Sequence, residues 1–127
     1  MSYFTSVIDR YLSAYGEPDE ALRSVMVADC FAADATLADP PFLATGHNEI
    51  VGAFGAVQAQ FPGHAFARTS AVDEHHGVAR YDWSLVGPDG TSAVSGTDFV
   101  RFDGSERIAS VVGFFGDLPA RAGGEDV

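Results

Sequence analysis

The sequence predicts a single α+β domain, with helices in its first half and an antiparallel sheet in its second half. A length of 127 residues suits one domain. Apolar residues recur with helical spacing up to about residue 60 and with the two-residue spacing of strands afterwards. The turn sequences GPDG at 87–90 and DGSE at 103–106 separate the strands of the second half. Helices followed by a run of strands are typical of α+β domains.

The first half contains three helical patterns. Apolar side chains at 3, 4, 7, 8, 11, 12 and 15 predict a helix from Tyr3 to Tyr15. A second helix begins at about Pro18, where proline suits a first turn, and runs to about Phe31. Its predicted inward-facing residues are Ala21, Leu22, Val25 and Met26. A third helix is predicted from His47 to about Gln60.

The remaining segments predict strands that form an antiparallel meander. A short strand is predicted at Thr36–Ala38, and longer ones at His64–Ala71, Val78–Val86, Ser92–Asp103 and Ile108–Phe115. Both faces of these strands carry apolar residues, whereas three helices can cover only one face. We therefore expect a homodimer that forms through the outer sheet face. The domain is predicted to cover residues 1–118, and residues 119–127 are predicted to be a flexible tail.

Composition excludes several classes of function. The formal net charge is −11, and all seven basic residues are arginines. Such a surface disfavours nucleic acid and anionic membranes, and the absence of Lys excludes Schiff-base and P-loop chemistry. No apolar run could cross a bilayer, and the charged residues near the N-terminus do not suit a signal peptide. With its lone Cys30, the chain is expected to be cytoplasmic.

Common catalytic motifs are absent as well. The four histidines at 47, 64, 75 and 76 lack HExxH spacing, and there is no CxxC, so no metal site is predicted. No GxSxG marks a nucleophile, and no GxGxxG follows a strand. We therefore expect chemistry without a cofactor.

Two carboxylates and one tyrosine remain as candidate catalytic residues. In the stretch GTDFVRFDG, Asp98 is the only charge on the strand face that also carries Val100 and Phe102. Burial there raises its pKa unless it finds hydrogen-bond partners. Asp39 precedes two prolines on stiff backbone, and Tyr11 lies on the apolar stripe of the first helix. Each also has a purely structural interpretation, as a buried hydrogen-bonded carboxylate, a turn residue or a packed tyrosine.

A resemblance adds to this interpretation. The ordered motifs RYLSAYGE, FAADATLADP, a near form of G-x-x-x-I-x-x-F from Gly46, GTDFVRFDG and IASVVGFFG resemble the nuclear transport factor 2-like superfamily over about residues 3–118. They are most similar to its SnoaL-like and ketosteroid isomerase-like branch. The resemblance implies a cone-shaped, curved antiparallel sheet packed on about three N-terminal helices. It also implies an apolar pocket and usually a dimer.

The same resemblance implies a function and roles for the candidates. The function is cofactor-independent acid–base isomerisation or cyclisation of a hydrophobic carbonyl compound, steroid-, terpenoid- or polyketide-like, through an enolate. Asp39 corresponds to the general base, whereas Tyr11 and a protonated Asp98 correspond to the donors to the enolate oxygen. The predicted substrate-binding wall comprises Phe54, Trp83, Val100, Phe102 and Phe114.

Two alternatives stay open at this stage. Limonene epoxide hydrolases, which share the fold, place an Arg-x-Asp pair on the comparable strand, and Arg80 and Asp82 resemble that pair. They would line a pocket only if Tyr81, Trp83 and Leu85 pointed outward, and apolar alternation favours the opposite orientation. The second alternative is a non-catalytic dimer that binds a small ligand.

Overall fold

A computed structural model describes residues 3–121 of the chain. Three helices cover Tyr3–Tyr15 (α1), Glu20–Cys30 (α2) and His47–Gln60 (α3). The seven strands are β1 Phe31–Ala38, β2 Leu43–Thr45, β3 Ala65–Arg68, β4 Asp73–His75, β5 Val78–Val86, β6 Ser92–Phe102 and β7 Ile108–Phe115. The predicted α+β class is confirmed. Of the tail predicted at 119–127, residues 122–127 lie outside the described part.

The seven strands form one curved, unclosed sheet in the order β2-β1-β7-β6-β5-β3, and β4 pairs with β5. The predicted meander is present, because β5–β6 and β6–β7 are antiparallel. The sheet as a whole is mixed, since β1 runs parallel to β7 with Leu37 opposite Val111. Apolar alternation specifies which side chains face the core but not which strands become neighbours, so this pairing left no sequence signal.

Helix α1 packs its predicted stripe against the sheet, and its side chains from Val7 to Tyr15 that face the sheet are buried. The inward face predicted for α2 is largely wrong: Leu22 is 53% and Val25 58% exposed. The buried positions are instead Arg23, Val27 and Cys30. The guanidinium of the inward-facing Arg23 donates to the Glu17 carbonyl at 2.7 Å, so a hydrogen-bonded cation takes a buried position that the apolar pattern did not predict.

The strands β5 and β6 separate two chemically different faces. Tyr81, Trp83 and Leu85 point to the helices and are buried, whereas Arg80 and Asp82 are exposed. The inner positions of β6 from Gly96 to Phe102 are likewise buried, as predicted. On the outer face, large apolar side chains are 37–57% exposed, namely Val78, Phe99, Val112 and Phe114. No helix within residues 3–121 is long and apolar enough to cross a membrane.

Candidate active site

A cavity of about 430 Å³ lies between the helices and the inner sheet face. Its walls are mainly apolar side chains from α1, α3, the loop after β1 and strands β3, β5, β6 and β7. The polar side chains that reach it are Tyr11, Tyr15, Asp39, Gln60 and Asp98. Among the residues described, no Arg, Lys or His lines this cavity. A bound molecule would therefore meet carboxyl and hydroxyl groups in apolar surroundings.

Asp98 lines the cavity and is only 4% exposed. Its Oδ2 accepts hydrogen bonds from the Tyr81 hydroxyl at 2.7 Å and the Tyr11 hydroxyl at 3.2 Å. Its Oδ1 accepts one from Trp83 Nε1 at 3.0 Å. Three donors therefore hold both oxygens of this carboxyl. The Tyr11 hydroxyl, which the resemblance gave as a donor to the enolate oxygen, donates to Asp98 in this structure.

The register of β5 and β6 explains how these donors reach the carboxyl. Tyr81 pairs with Asp98, and Trp83 pairs with Gly96, so all four positions share the inner face. A Cβ at Gly96 would lie 2.6 Å from the Trp83 ring and would overlap the Phe114 carbonyl oxygen. Only glycine therefore leaves room for the indole, whose Nε1 reaches Asp98.

Burial dominates the titration of Asp98. Desolvation raises its pKa to about 6, although hydrogen bonds from Tyr81, Tyr11 and Trp83 oppose the shift and the Asp39 charge adds to it. A pKa of about 6 makes the protonated form of Asp98 accessible near neutral pH, and its expected role as a protonated donor stays a prediction. Burial also raises the pKa of Tyr11 and of Tyr81, so both remain hydrogen-bond donors.

Asp39 is held at the end of β1, where the chain enters Pro40 and Pro41. Its backbone exchanges hydrogen bonds with Phe42, and its Oδ1 accepts from the Phe42 N–H at 3.0 Å. No hydrogen bond to its Oδ2 is found within residues 3–121. Partial burial raises its pKa, and the Phe42 N–H opposes that shift. Asp39 thus presents one unpartnered carboxyl oxygen beside the cavity.

Gly113 of β7 separates the two carboxyl side chains. A Cβ at this position would lie 3.0 Å from Asp98 Oδ1 and 3.3 Å from the Cβ of Asp39. A side chain at this position would therefore press on both aspartates, and glycine avoids that contact. The structure brings together all three predicted catalytic residues, Tyr11, Asp39 and Asp98, around one cavity.

Tyr15 was missed by the sequence analysis as a site residue. It follows Tyr11 by one helical turn and is held between the rings of Phe54, at 3.7 Å between centroids, and Phe66, at 4.3 Å. Burial is the main cause of the raised pKa of Tyr15, and the negative charges of Asp39 and Asp98 raise this pKa further. Its position on the α1 stripe was a usable signal. The donor roles of Tyr81 and Trp83 could have been suspected from their shared strand face.

Of the five residues predicted to form the substrate-binding wall, one lines the cavity. Trp83 lines the cavity. Phe54, Val100 and Phe102 are buried in the core but are not among the described residues that line it. Phe114 is 57% exposed on the outer face, because it pairs with outward-facing Thr97 while its neighbour Phe115 turns inward to the cavity. Other rings that complete the wall are Phe42, Phe61 and Phe66.

The Arg80 and Asp82 pair lies on the outer face, away from the cavity. Arg80 Nε lies 2.8 Å from Asp73 Oδ2, and Asp82 accepts a hydrogen bond from the Thr97 hydroxyl at 2.7 Å. The epoxide-hydrolase alternative based on these two residues therefore has no support in the geometry. No group of three or more His, Cys, Asp or Glu side chains in the described part of the chain is arranged to hold a metal ion.

Comparison with known proteins identifies the family. The sequence profile of the SnoaL-like domain matches residues 8–111. This chain belongs to the SnoaL-like family. A proposed isomerase of that family from Agrobacterium tumefaciens is 31% identical, with 92% of this chain and 100% of that one aligned at a TM-score of 0.86. None of the curated protein sequences matches this chain significantly.

More distant solved structures share the fold of this SnoaL-like chain. A proposed polyketide cyclase from Sinorhizobium meliloti is 16% identical, with 85% of this chain and 93% of that one aligned at a TM-score of 0.65. A protein of ketosteroid isomerase-like fold from Catenulispora acidiphila, solved with trimethylamine, is 18% identical, with 84% and 82% aligned at a TM-score of 0.69. At these identities the similarity establishes the nuclear transport factor 2-like fold.

Proposed function

We propose that this protein catalyses cofactor-independent isomerisation or cyclisation of an apolar carbonyl compound, with Asp39 and Asp98 as the acid–base pair. One observation carries the proposal: a carboxyl that is 4% exposed lies in an apolar cavity that a second carboxyl, Asp39, also lines. Two carboxyl groups in different environments can divide the acid and base roles between them. The SnoaL-like relative from Agrobacterium, a proposed isomerase, agrees with this type of reaction.

Asp39 suits the role of base. Its unpartnered Oδ2 removes a proton from the carbon next to the substrate carbonyl, and the electron pair of that bond moves toward the carbonyl oxygen. Returning the proton to a different carbon completes an isomerisation. For a cyclisation, the enolate carbon instead attacks an electrophilic carbon of the same molecule.

Asp98 suits the role of donor to the developing oxyanion. Its protonated form donates to the carbonyl oxygen, while Tyr11, Tyr81 and Trp83 fix the carboxyl in place. Because desolvation is the main cause of its raised pKa, an apolar substrate that displaces water raises this pKa further. Substrate binding therefore favours the proton-donating form that is the minor one in the free protein at pH 7.

The experiment that tests this proposal measures binding of a fluorescent naphthol, whose oxygen imitates the enolate. We expect Asp39→Asn, which imitates the protonated base, to bind naphthol at least as tightly as the wild type. Asp98→Ala should weaken binding by about 1–3 kcal/mol, because the donor to the oxygen is lost. Asp82→Asn is the matched control, since Asp82 is an exposed carboxylate on the outer face.

A positive result justifies screening unsaturated ketones for a gain of conjugated-enone absorbance. Naphthol binding that is indifferent to Asp98 would contradict the mechanism and leave a non-catalytic ligand-binding protein. Because Asp98→Ala leaves the buried Tyr81 and Trp83 donors without an acceptor, the fold of this variant is checked by circular dichroism. The milder Asp98→Asn variant, whose amide can donate a hydrogen bond but cannot transfer a proton as an acid, provides a second measurement and is expected to lower turnover while remaining folded.

We also propose that the protein is a homodimer through the outer sheet face. The exposed rings of Phe99 and Phe114 pack edge to face at 6.0 Å, and Val112 lies on the same face. Apolar surface of this kind is stabilised when a second copy covers it.

A further inference from the structure

The two cavity aspartates lack a cationic partner in the described structure. Ion pairs within residues 3–121 join Arg68 to Asp9 and Arg80 to Asp73, and neither involves Asp39 or Asp98. A carboxylate withdrawn from water is destabilised when no opposite charge compensates it. Asp39 is the more accessible of the two, because one of its oxygens accepts no hydrogen bond from the described residues. A cation would stabilise it.

The surroundings of these carboxylates also favour a cation. Seven aromatic residues line the cavity: Tyr11, Tyr15, Phe42, Phe61, Phe66, Trp83 and Phe115. Their ring faces carry partial negative charge and attract ammonium groups, most strongly where water is excluded. No basic residue among the described lining residues would repel such a group, and the net charge of −11 adds a favourable field.

We propose that the cavity binds apolar compounds that carry a protonated amine, with the ammonium group against Asp39 and the apolar body among the aromatic rings. This inference concerns ligand charge and does not require catalysis. An amine at Asp39 occupies the place of the base, so it competes with a carbonyl substrate. Anionic compounds are excluded, because their charge would face two carboxyls with no basic side chain beside them.

The test compares three probes that share one apolar body: naphthylmethylamine, naphthylmethanol and naphthoate. Isothermal titration calorimetry at neutral pH measures the affinity of each. We expect the amine to bind at least about tenfold more tightly than the alcohol, the size of one desolvated cation–aromatic or charge-assisted contact. Naphthoate should bind more weakly than both.

Two matched variants assign the preference to Asp39. Asp39→Asn keeps an oxygen for the Phe42 N–H and should reduce the preference for amine over alcohol to about twofold or less. Asp82→Asn changes the net charge equally at the outer face and should keep the preference. Equal binding of amine and alcohol by the wild type, or a preference that survives Asp39→Asn, would overturn the inference. So would a preference lost equally in Asp82→Asn, because overall charge would then be its cause.

The naphthol experiment separates failure of this inference from failure of the proposed reaction. If the amine preference is absent while naphthol still responds to Asp98, the acid–base proposal stands and the cavity is selective for neutral ligands. If the amine preference depends on Asp39 while naphthol ignores Asp98, the cavity is an amine-binding site without the proposed chemistry. Naphthol binding by Asp39→Asn also shows that this variant retains an intact cavity.

Discussion

The inner and outer faces of one sheet give the same residue type two different chemistries. Asp82 on β5 and Asp98 on β6 lie in adjacent strands one register position apart. Asp82 faces solvent and accepts a hydrogen bond from the Thr97 hydroxyl. Asp98 faces the helices, accepts from two tyrosines and a tryptophan, and has its pKa raised by burial. The side of the strand, rather than the residue itself, determines which carboxyl is withdrawn from water.

Side chains on the inner face are also held more tightly by their neighbours than those on the outer face. On the outer face, polar groups pair with short side chains such as Ser84 with Ser95, and water can replace either partner. On the inner face, each donor to Asp98 is fixed by packing, and Gly96 provides the space for Trp83. Substitutions should therefore have larger effects inside than outside.

The largest effect is expected from Gly96→Ala. The new methyl group would overlap the Phe114 carbonyl oxygen and the Trp83 ring, and the backbone atom cannot move without breaking the β6–β7 ladder. We expect the free energy of unfolding, measured in urea, to fall by about 3 kcal/mol or more. Gly52→Ala is the control: it lies on an exposed face of α3 with no atom within 4 Å of the new methyl, so a gain of about 0.5–1 kcal/mol is expected. Equal stability of the two variants would contradict the close packing at Gly96.

A somewhat smaller effect is expected in the pH dependence of stability. The pKa of Asp98 rises from 3.8 in water to about 6 in the folded protein. Between these values the folded state binds more protons than the unfolded state, so this group's contribution to stability is lost as pH rises toward about 6. Relative to wild type, Asp98→Asn should therefore gain about 2–3 kcal/mol in unfolding free energy between about pH 4 and pH 7.

Unfolding in urea across this pH range measures the difference. Asp82→Asn removes an exposed carboxyl from the neighbouring strand and serves as the control. If the unfolding free energies of Asp98→Asn and Asp82→Asn changed with pH in the same way, burial would not raise the pKa of Asp98.

Much of this arrangement could be predicted from alternation along the chain. The inner face of β6, with Asp98 as its only charge, followed directly from the two-residue period of the strand. The pairing of Tyr81 with Asp98 could not be predicted, because register depends on turn geometry and on a bulge near Leu85. Phe114 was assigned to the wrong face for a related reason: a register shift near Arg101 changes which residues of β7 turn inward. Alternation predicts faces within a strand, whereas partners and bulges arise from the assembled sheet.

The smallest effect on the folded chain is expected from Phe114→Ser on the outer face. Phe114 is already 57% exposed, so its loss should change the unfolding free energy of an isolated subunit by only about 0.5 kcal/mol. The effect on assembly should be much larger if a second copy covers this face, because a buried aromatic ring often dominates an interface. Light scattering during size-exclusion chromatography should show twice the 13.4 kDa mass for the wild type and a shift toward the single-chain mass for the variant. A wild-type protein that is monomeric at high concentration would show that these outer apolar residues are simply exposed, and the cavity would then have to function within one chain.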